Sequence, residues 1–230
     1  MKIILSESQY QRLIETKEEP KILRFPSLRF FDKDPVIAWN IIQKIVERKG
    51  NPPYSIEGNL DLRDIPIESL GKLTSVGGDL DLRRTQIESL GNLTSVGGDL
   101  DLYDTPIKSL GNLTSVGGYL NLENTPIKSL GNLESVGGSL NLEKTPIKSL
   151  GNLTSVGEHL NLYNTPIKSL GNLTSVGRNL YLYNTPIKSL GNLTSVGEDL
   201  DLRKTPLSKM YSEEEIRQMV NVGGKIYSSK

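Results

Sequence analysis

The sequence predicts an α/β repeat solenoid in which each coil of twenty residues carries one short parallel strand and returns through turns or 3-10 helix. The first observation is a pair of leucines, split by one residue, that recurs every twenty residues from 60–62 to 200–202 without insertion or deletion. The second is the presence of helix signals before and after the repeats. We therefore expect an N-terminal helical cap over residues 1–55, a repeat solenoid of about eight coils over 56–207, and a C-terminal helical cap over 208–230.

The N-terminal segment carries two helix signals with an apolar stretch between them. Residues 6–9 form a capping box, which predicts a helix of roughly ten residues. The apolar stretch that follows is interrupted by Pro26 and is typical of an irregular passage or an edge strand. Residues 34–50 begin with an Asp-Pro pair and end on glycine, which predicts a second helix. We interpret this helix as a cap over the open end of the solenoid; the alternative is a partner-binding helix that presents Trp39.

One unit of the repeat indicates how a coil is built. In residues 80–99 the two leucines alternate at strand spacing, and the later apolar residues come at every third position, which suits tight turns or 3-10 helix. All six apolar side chains are expected to point into a shared interior that only stacking can bury. They are Leu80, Leu82, Ile87, Leu90, Leu93 and Val96.

Glycine, asparagine and threonine also recur at fixed positions of the unit. Gly91 and Gly97 stand where the backbone is expected to change direction through positive φ. The asparagine column that runs from Asn92 to Asn192 is expected to stack into a ladder whose side chains satisfy backbone groups. The threonine column that starts at Thr85 is expected to play the same part.

The recurring pattern LxLxxTxI resembles the leucine-rich repeat. The run LTSVGGDLDL is similar to the L-domain repeats of receptor ectodomains, and that resemblance implies a solenoid with a single parallel sheet. The opening MKIILSESQYQRL and the ending TPLSKMYSEEEIRQMV are similar to uncharacterised repeat proteins of tailed phages and marine bacteria. These resemblances cover nearly the whole chain and imply no known activity.

The C-terminal segment departs from the repeat. Residues 212–215 form a second capping box, followed by apolar residues on one helical face. Gly223 and Gly224 are expected to end this helix, and residues 225–227 to add a final short strand.

Composition limits the classes of partner. Lysine plus arginine and aspartate plus glutamate both number 27, so the chain lacks the basic excess of a nucleic-acid or anionic-membrane binder. It contains no cysteine, which excludes a thiolate metal site. The first apolar run is too short for a signal peptide. We expect a cytoplasmic protein, or a virion-associated one if a phage encodes it, that binds neither nucleic acid nor membrane.

The sequence offers no machinery for catalysis. Its only histidine, His159, lies in a variable exposed column where no triad or zinc motif can be assembled. Phosphate-binding glycine motifs are absent. We therefore predict a protein that is not an enzyme, with no catalytic residue, no metal and no cofactor.

Variation between the copies is concentrated around the strand, whereas TPIKSLG and GNLTSVG each recur five times. Three outward-facing columns are expected to form the strand face. The first is Asn59, Asp79, Asp99, Tyr119, Ser139, His159, Asn179, Asp199; the second is Asp61, Asp81, Asp101, Asn121, Asn141, Asn161, Tyr181, Asp201; the third is Arg63, Arg83, Tyr103, Glu123, Glu143, Tyr163, Tyr183, Arg203.

A constant scaffold with a diversified strand face is how repeat proteins present a binding surface, although solvent-facing positions can also simply drift. The predicted partner-binding residues are Tyr103, Tyr119, Tyr163, Tyr181, Tyr183, Asp79, Asp81, Asp99, Asp101 and Arg83. The leading hypothesis is recognition of a protein partner, with the tyrosines as anchors. The alternatives are a structural component of a virion or other assembly, and a glycan-binding module in which the tyrosines stack on sugar.

Two groups of charged residues allow more specific functional hypotheses. The aspartates at 79, 81, 99 and 101 are solvated acids or a cation site, and solvation is the favoured reading. Five lysines recur at the same position of successive return paths and serve solubility or meet phosphates or an acidic protein, with solubility favoured. They are Lys108, Lys128, Lys148, Lys168 and Lys188.

Overall fold

The computed structural model describes residues 22–27 and 34–228 and shows a parallel β-solenoid of twenty-residue coils. Its strands, numbered in chain order, lie in two sheets. Sheet A contains, in spatial order, β1 (Leu23–Phe25), β2 (Tyr54–Ile56), β4 (Leu73–Val76), β6 (Ser95–Val96), β8 (Ser115–Val116), β10 (Ser135–Val136), β12 (Ser155–Val156), β14 (Ser175–Val176), β16 (Ser195–Val196) and β18 (Asn221–Val222). Sheet B contains β3 (Leu60–Asp61), β5 (Leu80–Asp81), β7 (Leu100–Asp101), β9 (Leu120–Asn121), β11 (Leu140–Asn141), β13 (Leu160–Asn161), β15 (Leu180–Tyr181), β17 (Leu200–Asp201) and β19 (Ile226–Tyr227).

The solenoid and its parallel strand at each leucine pair are confirmed, but the single sheet is a correction. Each regular coil holds a second strand at Ser-Val, four residues before the leucine strand, so the described β-structure forms two sheets. A two-residue strand is too short to show alternation, which is why the sequence pattern did not reveal it. The rest of each return path is built from turns, and no 3-10 helix occurs among the described residues.

Pairing is in register, so each residue of a strand pairs with its counterpart twenty positions later. In sheet B, Leu80 pairs with Leu100, and its N–H donates to the carbonyl oxygen of Asp99 at 2.8 Å. In sheet A, Val96 pairs with Val116. Residues at the same position of successive repeats therefore lie in a column in space. Within a sheet, neighbours in such a column are about 4.8 Å apart.

The core is a continuous apolar column. The six side chains predicted to point inward in residues 80–99 are all buried, with exposures of 0–1%. They belong to one hydrophobic cluster that continues through the other coils and into the helix that precedes them. The sequence prediction of the core is confirmed.

The corners depend on small residues and on buried hydroxyl groups. Gly91 adopts φ of +59°, as predicted. Gly97 does not have positive φ; instead, a Cβ there would overlap the carbonyl oxygen of Gly77 in the preceding coil. The Thr85 hydroxyl donates to the Leu82 carbonyl at 2.8 Å, which confirms the predicted role of the threonine column.

The predicted asparagine ladder is wrong. All six asparagines of this column are exposed, and their side chains make no hydrogen bond within residues 34–228. Serine takes the corner role instead, because the N–H of Gly91 donates to Ser89 Oγ at 3.2 Å.

The third side of each coil lies between the leucine strand and the next Ser-Val strand. On this side, neighbouring coils are bonded to each other in pairs. Bridges join Ser89 to Ser109, Ser129 to Ser149 and Ser169 to Ser189. A Cβ on Gly111 would touch Gly91, whereas one on Gly131 would meet nothing within 4 Å. Adjacent coils are thus close within each pair and separated between pairs.

Helix α1 (Pro35–Arg48) begins and ends close to where the sequence predicts. Asp34 Oδ1 accepts from the N–H of Val36 at 2.8 Å and of Ile37 at 3.3 Å, so it is the predicted N-cap. One face, which includes Trp39 and Ile42, is buried in the common core. Strand β1 lies at one end of sheet A, so the edge strand is observed of the two predicted alternatives, an irregular passage and an edge strand. The helix predicted near residues 6–15 lies outside the described residues.

The C-terminal segment contains α2 (Leu207–Met210) and α3 (Glu213–Met219). The predicted capping box is confirmed, with Ser212 N–H donating to Glu215 Oε2 at 2.7 Å and Glu215 N–H donating to Ser212 Oγ at 3.2 Å. None of the described helices has the length and apolarity needed to cross a membrane.

The predicted role of Gly223 and Gly224 as a helix stop is wrong. Helix α3 ends at Met219, and residues 221–227 repeat the Ser-Val-Gly-Gly-x-Leu-x pattern as Asn-Val-Gly-Gly-Lys-Ile-Tyr. Strands β18 and β19 add this coil to both sheets, and β19 confirms the predicted final strand. The helices are thus an insertion in the return path of a further coil.

Candidate functional site

The outer face of sheet B carries the three predicted columns, and the first column is a hydrogen-bond ladder. Asp79 Oδ1 accepts from the N–H of Asp99 at 2.9 Å, and Asp99 Oδ1 accepts from the N–H of Tyr119 at 2.7 Å. In a later coil, His159 Nδ1 accepts from the N–H of Asn179 at 3.3 Å. These side chains therefore link successive coils, which accounts for Asp79 and Asp99 without a ligand.

The second column closes a turn at the end of each strand. Asp81 Oδ1 accepts from the N–H of Arg83 at 3.1 Å, and Asp101 Oδ1 accepts from the N–H of Tyr103 at 3.0 Å. An aspartate or asparagine is suited to this bond because its short side chain reaches the backbone two residues on. Tyr181 is the exception in this column, since its side chain cannot supply that acceptor.

At the acidic end of the face, arginine pairs with aspartates of the second column. Arg83 Nη2 lies 2.6 Å from Asp81 Oδ2, and its Nε lies 3.4 Å from Asp101 Oδ2. Burial raises the pKa of Asp101. The hydrogen bond from Tyr103 N–H and the charge of Arg83 lower this pKa, but they do not outweigh burial. Within the described ranges, no group of three or more His, Asp or Glu side chains is placed to hold a metal ion.

At the other end of the face, four aromatic side chains form what we call the tyrosine cluster: His159, Tyr163, Tyr181 and Tyr183. The Tyr163 ring packs edge-on against both Tyr181 and Tyr183, with centroid distances of 5.5 and 5.7 Å. His159 stacks on Tyr181 at 6.2 Å. Tyr163 therefore lies across the next coil and fixes the orientation of its neighbours, all of which stay partly exposed.

An ion pair between a buried carboxylate and a half-exposed arginine supports the tyrosine cluster. The Asp201 side chain is only 3% exposed; it accepts from Arg203 Nε at 2.9 Å and Nη2 at 2.7 Å, and from the Tyr163 hydroxyl at 3.3 Å. Burial opposes ionisation, but the hydrogen bonds from Arg203 outweigh it and lower the pKa of Asp201. Burial, together with the Asp201 charge, raises the pKa of Tyr163.

Cations border the cluster on one side. Arg203 Cζ lies 5.7 Å from the ring centroid of Tyr183 and 5.4 Å from that of Tyr227. Lys204 Nζ lies 4.9 Å from the Tyr183 centroid. These distances are within the range of cation–π attraction.

The structure brings together three of the five predicted tyrosines. Tyr103 and Tyr119 lie in earlier coils, and no aromatic contact joins them to the cluster in the described part of the chain. The prediction did not include His159, Asp201, Arg203, Lys204 and Tyr227 as site residues. Alignment of residues 221–227 with the repeat would have placed Tyr227 beside Asp201, with which it pairs.

A groove of about 860 Å³ runs along the outer face of sheet A. It is lined by one serine, one valine and one glycine of each regular coil, from residues 75–77 to 195–197, and by Asn221 and Gly223. Its lining contains no titratable or aromatic side chain, so it offers no group for acid–base chemistry or ring stacking.

Tyr181→Asn should be more stable than Tyr181→Ala by about 1 kcal/mol, because both remove the ring but only asparagine supplies the missing turn bond. Urea unfolding of the two variants measures the difference. The same two replacements at Tyr183, where no such bond is expected, form the control. Equal stability of the two Tyr181 variants would show that the turn bond is not what this coil lacks.

Comparison with protein-family models finds no match to the chain, and comparison with curated proteins and with solved structures likewise finds none.

Proposed function

We propose that this protein is a non-enzymatic repeat scaffold that binds a protein partner through the outer face of sheet B, with the tyrosine cluster at the centre of the contact. One observation carries the proposal. Tyr181 replaces the aspartate or asparagine that closes the strand-end turn in the other regular coils, and its ring instead joins Tyr163. Tyr181 cannot make the side-chain hydrogen bond to the backbone that aspartate or asparagine makes at this position. Selection for binding explains such a loss better than random sequence drift does.

The chemistry of the cluster suits a protein partner. Tyrosine combines a large apolar face with a hydroxyl group and is enriched among the residues that dominate protein interfaces. The rings are already held by one another and by Asp201, so binding would cost little side-chain entropy. Arg203 and Lys204 at the border favour a partner with acidic groups around an apolar centre.

The test uses a double variant that copies another coil. Tyr181→Asn with Tyr183→Glu gives this coil the sequence Asn-Leu-Glu, which the fold already accepts at residues 121–123. Affinity purification of the tagged protein from its native source, read by mass spectrometry, should recover a partner that this variant loses. Tyr103→Glu, which removes a tyrosine outside the cluster, should retain it. Loss with the Tyr103 variant, or retention with the double variant, would contradict the proposal.

Two other functions compete for the same face. A structural component of an assembly would enter that assembly in both wild-type and double-variant form. A glycan-binding module would use the rings for stacking, as the bond of 2.9 Å from Asn179 Nδ2 to the Tyr181 hydroxyl holds one ring beside an amide. Binding on a glycan array that the double variant loses would favour it. A cytoplasmic or virion-associated location stays part of these proposals.

We also infer that the helical segments act as caps. Arg217 in α3 donates to the carbonyl oxygens of Val222 and Gly224, both at 2.9 Å. The equivalent valine carbonyl of an inner coil accepts from the next coil, as Val196 O does from Gly223 N–H at 2.9 Å. The arginine thus occupies edge acceptors that would otherwise recruit another strand. The relation to leucine-rich repeats and to phage or marine-bacterial proteins stays a prediction from sequence motifs.

A further inference from the structure

A second surface, on the third side of the coils, is formed by what we call the lysine column: Lys108, Lys128, Lys148, Lys168 and Lys188. All five side chains are exposed. Lys108 pairs with Glu88 at 2.7 Å, and the other four have no carboxylate partner among the described residues. The column spans four coil steps and is a linear positive strip on a chain with no net charge.

An asparagine column runs beside these lysines. Each of its six members is exposed, and in the described part of the chain their amide groups make no side-chain hydrogen bond. They are Asn92, Asn112, Asn132, Asn152, Asn172 and Asn192. The third side therefore presents a row of ammonium groups next to a row of unused amide donors and acceptors.

Repetition at these positions has no explanation within the fold. The constant threonines and serines of the return path bond the backbone, and the constant glycines avoid overlap or adopt positive φ. The exposed lysines and asparagines do neither. In the same copies, the third column of the strand face has changed among arginine, tyrosine and glutamate, so exposed positions have diverged where they could. The lysine and asparagine columns have stayed constant although no side-chain bond within the described chain requires it, apart from the Lys108–Glu88 pair.

We propose that the lysine and asparagine columns bind a linear acidic polysaccharide that lies along the solenoid axis. Ammonium groups arranged along one line match a polymer whose carboxylate or sulfate groups recur along its length, and amides can exchange hydrogen bonds with sugar hydroxyls. The side lacks the aromatic rings that stack bases of single-stranded nucleic acid and the arginine forks that grip phosphate in pairs.

The pairing of coils on this side supports a polymer with a two-residue repeat. Lys128 and Lys148 lie in coils that are bridged to each other, as do Lys168 and Lys188, whereas no bridge joins the coils of Lys148 and Lys168. The charges are thus grouped in twos. An extended chain of linked pyranoses with twofold symmetry also repeats at every second sugar.

The test measures binding of the full chain to polygalacturonate at fixed ionic strength, with its methyl ester as the uncharged form of the same backbone. Wild-type protein should bind the acid and not the ester. Replacement of Lys128, Lys148 and Lys168 by glutamine should weaken binding about tenfold. The control variant changes Lys44, Lys49 and Lys225 to glutamine, with the same loss of charge away from the column, and should stay within about twofold of wild type.

A second variant separates sugar recognition from charge alone. Changing Asn132, Asn152 and Asn172 to alanine leaves the charge intact and should weaken polygalacturonate binding several-fold, without weakening adsorption to poly-glutamate. Thermal unfolding of each variant should match wild type, because the replaced side chains have no partner in the fold. Equal binding of acid and ester, wild-type affinity in the lysine variant, or tighter binding of duplex DNA or poly-glutamate than of polygalacturonate would overturn the proposal.

Discussion

Gly137→Ala should destabilise the protein by about 3 kcal/mol, which is near the upper end of the usual cost of overpacking. A Cβ at this position would overlap the carbonyl oxygen of Gly117 in the preceding coil, and backbone cannot move aside as a flexible side chain can. The midpoint of thermal unfolding should fall by about 10 °C for a chain of this size. Circular dichroism during heating and urea unfolding both measure the change.

The neighbouring glycine provides a matched control. A Cβ on Gly138 would approach the carbonyl carbon of Gly118 at 2.8 Å, which is a looser contact than the overlap at Gly137, and later coils hold Glu158, Arg178 and Glu198 at this position, so the backbone here can shift to accommodate a side chain. Gly138→Ala should therefore change stability by less than about 1 kcal/mol. If both alanine variants lose the same stability, close backbone approach is not the reason for glycine at 137.

Arg203→Met should weaken the pH dependence of stability that comes from the buried carboxylate of Asp201 beneath the tyrosine cluster. In the wild type, the pKa of Asp201 is lowered, so this group contributes stability above its unfolded pKa and loses it as pH falls through the folded pKa. Without the Arg203 guanidinium, only the N–H of residue 203 and the Tyr163 hydroxyl still favour the ionised form against burial, so the pKa of Asp201 should rise and its ionisation should contribute less stability. The variant should be less stable than the wild type at pH 7, and the difference should shrink towards pH 3, where Asp201 is protonated in both proteins.

The measurement is urea unfolding of both proteins at a series of pH values. Arg63→Met is the control, because Arg63 makes the same kind of pair with Asp61, whose side chain is 43% exposed. An exposed carboxylate that loses its partner stays hydrated, so this variant should change stability less than Arg203→Met does, with little dependence on pH. A stability difference for Arg203→Met that stays constant between pH 3 and pH 7 would contradict the assigned role of the ion pair.

Much of the fold could be predicted because the repeat leaves few alternatives. The spacing of leucines identified the interior, and the capping residues Asp34 and Ser212 located the starts of α1 and α3. These signals are local, so one sequence is enough to find them. The sequence did not predict strand β6 and its equivalents, because a strand of two residues shows no alternation of apolar and polar side chains. It did not predict the final coil, because helices α2 and α3 interrupt the twenty-residue period.

The candidate site was less predictable because its contacts join different coils. The sequence shows that tyrosines vary along the strand face, but not that Tyr163 reaches Asp201, thirty-eight positions away, across Tyr181 and Tyr183. It also placed the aspartates at 79 and 99 among the partner-binding residues, but it did not show that their oxygens accept backbone N–H groups of the next coil. Such bonds depend on the register of neighbouring coils, which the structure supplies.

The paired bridges on the third side give the molecule a structural period of forty residues on a sequence period of twenty. Alternate coils therefore differ although their sequences are similar. On the third side, one coil of each pair bonds to the coil that follows it, and the other bonds to the coil that precedes it. Removal or duplication of one coil would force every coil on one side of the change to bond to its other neighbour. Removal or duplication of two coils would leave the pairs as they are. Growth or shortening of the solenoid by pairs of coils is thus the change that this architecture accommodates most readily.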